Sequence, residues 1–243
     1  MINILITGGN GQLGSQIKEI ANYYSNYNFL FTDILDLDIT DHKKVKKSIE
    51  FNKIHVIINC AAYTDVNKAE SETELANKIN HLAVDNFSKL ARYNKIKLIH
   101  ISTDYVFDGT KNSPYDEMDI PNPLSVYGKT KFDGELAIIR NNPSNSIIIR
   151  TSWLYSRFGN NFLKTIELLT KKRTEIDLVS DQIGSPTNAS DLAKVILTIL
   201  PKIENSSTEI YHYSNDGFCS WFEFAKFFLT LKGVKVKLNP IKH

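Results

Sequence analysis

The chain has 243 residues and a formal net charge of +2, with 29 Lys and Arg against 27 Asp and Glu spread along its length. The basic runs are short, KKVKK (43–47) and KKR (171–173), which argues against nucleic acid as a partner. No apolar run approaches the ~20 residues of a bilayer span and the sequence opens on INILIT rather than a leader, so a soluble, cytoplasmic protein with no membrane partner is expected.

A chain of this length buries roughly 70–75% of its unfolded surface, enough for one α/β domain with a smaller second lobe. Cys60 and Cys219 lie far apart, as befits a reducing compartment, and the six histidines have no ligand spacing, so no metal is expected. The first element, INILIT (2–7), is an apolar, β-branched run that reads as a strand buried on both faces. TGGNGQLG follows at once, with Gly8, Gly11 and Gly14 three apart and Gly9, Gly11 and Gly14 meeting the ordinary dinucleotide fingerprint. A helix begins directly after it, with Gln16, Ile17 and Ile20. Such glycines let the backbone turn tightly and approach a pyrophosphate, which backbone N–H groups at the helix start would meet, so Gly8, Gly11, Gln12, Leu13 and Gly14 are assigned to the cofactor.

The second strand, NFLFTD (28–33), ends on Asp33 at the distance the fingerprint requires. Its carboxylate would accept hydrogen bonds from the adenosine ribose, and with no arginine nearby for a 2′-phosphate, NADH suits it better than NADPH; both stay open. Asp38 and Ile39 are placed beside the adenine, and KKVKK is the wet face of a helix whose dry side is Val45 and Ile49. After the third strand, IHVIIN (54–59), the small residues Cys60, Ala61 and Ala62, with Tyr63 next, would admit a flat cofactor. ETELANKINHLAVDNFSKLARY repeats Leu75, Ile79, Leu82, Phe87 and Leu90 at helical period. The fourth strand, IKLIHIS (96–102), runs into STD, and the polar stretch at 108–125, with three prolines, reads as a functional loop. SIIIRTS (146–152) and TEIDLV (174–179) are further strands; helices are expected near 160–172, 189–200 and 219–231. This alternation predicts an α/β fold: a Rossmann-type, doubly wound parallel sheet with a smaller C-terminal substrate lobe. Residues 1–152 are assigned to dinucleotide binding and 153–243 to the lobe, with some later elements returning to the sheet.

Within SVYGKTKFDGELAIIR, Tyr127 and Lys131 share a helical face. With eleven tyrosines in the chain, about one Tyr-x-x-x-Lys pair is expected by chance, and Tyr93 with Lys97 is a second. That second pair straddles a helix end. Tyr127 instead stands near STD, at the strand ends where open α/β sheets bind ligands. A lysine within a few ångströms would stabilise phenolate and lower the tyrosine from about 10 toward neutrality.

The glycine turn, the Tyr-x-x-x-Lys pair, NCAAYTDVNKAESE (59–72), STDYVFDG (102–109), PNPLSVYGKTKFDGE (121–135), RTSWLYSRFGNNF (150–162) and DQIGSPT (181–187) together resemble the extended short-chain dehydrogenase/reductase superfamily, and within it the dTDP-4-dehydrorhamnose reductases. The resemblance implies NADH- or NADPH-dependent reduction of a nucleotide-linked 4-keto-6-deoxyhexose, the last step toward dTDP-L-rhamnose. It implies that Tyr127 gives the proton, that Thr103 adds a hydrogen bond to the same oxygen, and that Lys131 also holds the nicotinamide ribose. Thr64, Asp65, Val66, Asp104, Tyr105 and Trp153 would surround the hexose, with Asn161, Phe162 and Gln182 near the diphosphate. Two features depart from the family pattern: Asn67 replaces a usual aspartate, and the sequence stops at LNPIKH where relatives continue into an Arg-Pro segment that helps complete the lobe. Some members form homodimers through a metal held partly by an acid just after the third glycine; Ser15 stands there, so no metal is expected, while a homodimer stays open. Two rivals are a reductase of another nucleotide-linked keto sugar and a non-catalytic nucleotide-binding subunit similar to that of methionine adenosyltransferase.

Overall fold

The computed structural model describes residues 1–243. The first half alternates β1 (Ile2–Thr7), α1 (Gln12–Ile20), β2 (Tyr27–Thr32), α2 (His42–Phe51) and β3 (Val56–Asn59). Short helices α3 (Val66–Ala69) and α4 (Thr73–Asn77) lead through a π turn (Lys78–Leu82) into α5 (Ala83–Asn94), followed by β4 (Lys97–Thr103), α6 (Val126–Asn141) and β5 (Ser146–Thr151). Beyond β5 come β6 (Leu154–Tyr155), α7 (Phe162–Thr170), β7 (Glu175–Val179), β8 (Ile183–Gly184), β9 (Thr187–Asn188), α8 (Ala189–Ile199), β10 (Glu209–His212), β11 (Cys219–Ser220), α9 (Trp221–Lys232) and β12 (Lys237–Ile241).

Six strands form one parallel sheet in the order β2-β1-β3-β4-β5-β10. Side chains alternate across it, as strand geometry requires. Ile4, Ile6, Val56, Ile58, Ile99, Ile147 and Ile149 face one core, shared with Leu13 and Ile17 of α1 and Leu192, Ala193, Ile196 and Leu197 of α8. Leu5, Ile57, Leu98 and Ile148 face the other, with Val45 and Ile49 of α2, Phe87 of α5 and Ile138 of α6. Both faces are therefore dry, which is why these strands read as unbroken apolar runs. Because the chain leaves β1 for β2 on one side and returns to β3 on the other, a crevice opens at the carboxyl ends of β1 and β3, where ligands bind in sheets of this kind.

The lobe has its own small core of Ile166, Ile176, Leu178, Ala225 and Leu229, covered by Phe162, Leu169, Phe222, Phe228 and Leu238. Three expectations change. TEIDLV is a strand, but it pairs with β12 in the lobe and not with the main sheet, and it is buried on one face, Ile176 and Leu178 inward and Glu175 and Asp177 outward. The sixth strand of the main sheet is β10, a short edge strand without an apolar run. The helical period over 72–93 also breaks: Leu75 and Leu82 are exposed, because the π turn shifts the phase and brings Asn80 inward beside Ala76 and Ala83.

Candidate active site

Gly8 has φ +64°, and a Cβ on it would stand 2.8 Å from the Ala61 backbone; one on Gly14 would stand 2.3 Å from the Gly8 carbonyl oxygen. The turn thus packs backbone on backbone against the end of β3. Helix α1 opens at Gly11 without a side-chain cap and without an acid in its first turn. Side chains cap α2, α6, α7, α8 and α9 at Asp41, Ser125, Asn161, Asn188 and Ser220. Uncovered N–H groups at a positive helix end, reached across a Gly-lined turn, fit a dinucleotide pyrophosphate. Asp33 stands beside the turn, accepting from Asn10 N (2.9 Å) and Ile34 N (2.8 Å). Asp38 accepts from the backbone and hydroxyl of Thr40. The Leu13 and Ile39 side chains belong to the core, which leaves only their backbones as candidate cofactor contacts. Cys60 binds the Thr7 carbonyl through its N–H, and burial pushes its thiol up to about 12.

Tyr127 occupies the first turn of α6, started by Ser125, whose Oγ accepts from Gly128 N at 3.0 Å. Gly128 is required there, since a Cβ would lie 2.2 Å from the Tyr105 carbonyl oxygen. The close approach sets the Tyr105 ring edge-on to Tyr127, centroids 5.4 Å apart. Thr103, at the end of β4, donates to Asp104 Oδ1 (3.0 Å) and accepts from Tyr105 N (3.2 Å), and its hydroxyl is close enough to the Tyr127 phenol to lower it. Burial lifts Asp104 to about 6, against the pull of these hydrogen bonds.

Lys131, 2% exposed, sits one turn beyond Tyr127 on α6, yet its Nζ turns toward β4: it donates to the Ile101 carbonyl at 2.6 Å and lies 3.4 Å from His100 Nε2. Burial lowers it to about 8, opposed by the charge of Glu135 and by Cys60. The expected acidified phenol is accordingly corrected. Burial first, then Asp104 and Tyr105, push Tyr127 above its ordinary value, and the influence of Thr103 only partly offsets them. The competing tyrosine is excluded: Tyr93 is exposed, and Lys95 in left-handed conformation ends α5 before Lys97 begins β4.

On the lobe side, Trp153 follows β5 with φ +48° and stacks on Trp221, ring centroids 3.4 Å apart and planes within 9°. Gly184 lies under it so closely that a Cβ would come within 2.5 Å of the indole. Phe162 flanks Trp221 at 4.4 Å. Asn161 caps α7 through Lys164 N (3.2 Å) and donates to Gln12 Oε1 (3.0 Å), while Gln12 Nε2 donates to Leu154 O (3.2 Å), tying the glycine turn to the lobe. Thr64, Asp65 and Val66 follow β3; the Asp65 carboxylate accepts from Lys68 N at 3.0 Å as the cap of α3. Gln182 is exposed ahead of β8 and makes no hydrogen bond to this group.

Residues 2–243 match the family described as the RmlD substrate binding domain. The chain belongs to this family. Among relatives of the RmlD family, the dTDP-4-dehydrorhamnose reductase of Aggregatibacter actinomycetemcomitans is 42% identical over 228 residues, covering 93% of this chain and 77% of its own. The dTDP-4-keto-6-deoxy-D-glucose reductase of Streptomyces niveus is 34% identical over 229 residues, 94% of this chain and 78% of its own. The crystal structure of dTDP-4-dehydrorhamnose reductase from Bacillus anthracis in complex with NADP superposes with a TM-score of 0.93 at 42% identity, over 100% of this chain and 85% of that one.

Several residues that support this RmlD-family site are not among those the sequence assigns to it. Asn80 Oδ1 accepts from Tyr63 N (2.8 Å), and its Nδ2 donates to Tyr63 O (3.0 Å) and Thr130 Oγ1 (3.2 Å), clamping the segment after β3 that carries Tyr63 to α6. The helical period gives no signal for it, since the π turn is what brings Asn80 inward. Glu135, wholly buried, pairs with Arg150 (2.7 Å) and accepts from the Ser102 hydroxyl beside Thr103. Its signal is a charge one turn past Lys131. Trp221 follows the capping box Ser220-x-x-Glu223, which SWFE displays in the sequence.

Proposed function

We propose that this chain is an NAD(P)H-dependent nucleotide-sugar 4-ketoreductase that converts dTDP-4-dehydro-L-rhamnose (dTDP-6-deoxy-L-lyxo-4-hexulose) to dTDP-L-rhamnose. The observation that carries the reading is the meeting of Thr103 and Tyr127 at the carboxyl end of β4, with Lys131 one turn behind, in a chain whose glycine turn leaves the start of α1 uncapped. The dinucleotide lies against residues 1–152 together with α8 and β10, and the sugar between the strand-end residues that include Thr103 and Tyr127 and the rest of 153–243.

When bound, the reduced nicotinamide supplies a hydride to carbon 4 of the sugar. Tyr127 holds a proton on its phenol oxygen and releases it to the oxygen that becomes an alkoxide as the carbonyl is reduced. An elevated phenol suits that task, because the residue must be protonated when the ketone arrives and an alkoxide is the far stronger base. Thr103, by turning its one hydroxyl hydrogen from Asp104 Oδ1 to the same oxygen, stabilises the charge that develops there. Lys131 contributes positive charge to the same wall of the site. For the cofactor, Asp33 favours NADH, whereas the Bacillus anthracis relative was solved with NADP.

Purified protein given NADH or NADPH with dTDP-4-dehydro-L-rhamnose should consume the nicotinamide absorbance, and Tyr127→Phe should bind cofactor as the parent does while losing about 10²–10⁴-fold in kcat. The relative from Streptomyces niveus favours a second substrate, dTDP-4-keto-6-deoxy-D-glucose, as the competing arm of the same assay. No consumption with either sugar, or full turnover by Tyr127→Phe, would overturn the reading.

A further inference from the structure

We propose that Thr7, Asn59 and His100 form a buried relay that holds the Lys131 ammonium, with His100 as its positioning residue. Thr7 and Asn59 are register partners on β1 and β3, and Asn59 and His100 are register partners on β3 and β4. Each lies two residues beyond an apolar side chain of the same core, Leu5, Ile57 and Leu98, so a single row across three strands changes from hydrocarbon to polar just below the site. The row is hydrogen-bonded throughout: Thr7 Oγ1 to Asn59 Oδ1 at 2.6 Å, and Asn59 Nδ2 to His100 Nδ1 at 3.0 Å. His100 Nε2 then lies 3.4 Å from Lys131 Nζ. Thr7 and His100 are 0% exposed and Asn59 1%.

Such a row adds little to the fold, since burying polar groups gains less than burying the apolar residues that would fit the same strands. What it does is face Lys131. A hydroxyl, an amide and a neutral imidazole can each both donate and accept. With the Asn59 amide turned one way, His100 carries its hydrogen on Nε2 and presents it to an unprotonated amine. That is the arrangement of the distances above; holding an ammonium takes the reverse, with the Asn59 amide turned through 180° so that it donates to Thr7, His100 donates from Nδ1 to the Asn59 carbonyl, and Nε2 offers a lone pair. Burial, and then the Lys131 charge, hold His100 well below its ordinary value, so the imidazole stays neutral and does not compete for the charge.

The other groups around Lys131 leave that role open. From the end of β3, Cys60 faces it as a neutral thiol, its value pushed up by burial. From its own helix Glu135 faces it, but that carboxylate is shared with Arg150 of β5 through both oxygens. From β4, besides His100, the Ile101 carbonyl accepts one of its three hydrogens. Removing the imidazole therefore strips a neutral acceptor from a buried cation, which disfavours the charged form.

The inference rests on the proposed reductase only for its kinetic readout, so the decisive measurement is independent of turnover: an NMR titration of the lysine Cε resonances of the whole protein, with Lys131→Met assigning the signal. His100→Leu should move the Lys131 titration about one pH unit lower, the worth of one hydrogen bond to a charged group, and His100→Gln, which restores an acceptor, should return it toward the parent. In the keto-sugar assay the alkaline limb of kcat/KM should move the same way. Should His100→Leu fail to fold, Thr7→Val, isosteric and at the far end of the row, should give a smaller shift of the same sign. An unmoved Lys131 titration in the folded variant overturns the relay, whereas a shifted titration in a protein that reduces neither sugar overturns the proposed reaction and leaves the relay standing.

Discussion

At Asp104, hydrogen bonding and burial pull in opposite directions, and burial wins: Thr103 and the backbone lower the carboxyl, yet it settles at about 6. An acid whose folded value lies above its unfolded value of about 3.9 binds its proton more tightly in the folded protein. The stability this contributes is complete below about pH 4 and is lost as the pH rises through about 6. Asp104→Asn keeps the size and the hydrogen bonds without the charge. It is expected to melt a few degrees above the parent at neutral pH, with the gap closing toward about pH 4; thermal melts at the two pH values check this, and an equal gap at both refutes it. Asp104 was visible in STD only as a polar residue near the chemistry. Its depth, like the direction in which Lys131 turns, depends on which backbone lies over it, here the Tyr105 turn brought down by Gly128.

Among the elements, the helical stretch from Thr73 to Asn94 shows how one local irregularity sets a site. A single π turn at Lys78–Leu82 brings Asn80 to the dry face, where it ties both backbone groups of Tyr63 to Thr130 on α6. A Cβ on Gly134 would meet the Asn80 carbonyl oxygen at 2.3 Å, so the two helices already touch backbone to backbone. Asn80→Ala should cost about 1–3 kcal/mol in denaturant unfolding, because it leaves the part-buried backbone groups of Tyr63 unpaired. It should also raise KM for the sugar as well as for the cofactor, since the segment it anchors runs from Tyr63, expected beside the cofactor, to Thr64, Asp65 and Val66, expected around the hexose. A loss of cofactor affinity alone would contradict this. Regular periodicity made α5 legible, and unbroken apolar runs placed β1, β3, β4 and β5 within a residue or two of their observed bounds. The π turn adds a residue that no 3.6-residue template accommodates, and β10, an edge strand with alternating exposure, has no apolar run to betray it.

Over the whole molecule, the chain passes between sheet and lobe more than once: after β5 it enters the lobe, returns with α8 and β10 to the sheet, then leaves again for α9 and β12. Gln12 and Asn161 join the two sides at the glycine turn. The chain has two tryptophans, and they stack on each other in the lobe, whereas most of the regular backbone belongs to the sheet and its helices. Unfolding followed by tryptophan fluorescence and by far-ultraviolet circular dichroism should therefore give coincident transitions; separate midpoints would show that the lobe melts on its own. The doubly wound plan could be read from alternating motifs, but the fate of TEIDLV could not, because a strand carries no mark of which partner it will find.

That partner is β12, which pairs Lys237 with Glu175 across 62 positions of chain. During synthesis the sheet around the glycine turn can assemble while later residues are still being made. The lobe core cannot: β7 has no neighbour, and Ile176 and Leu178 have no Leu238 to cover them, until residue 241 has cleared the ribosome. On the proposed division of ligands between sheet and lobe, a nascent molecule would thus pass through a stage in which it could grip the dinucleotide before it could meet the sugar.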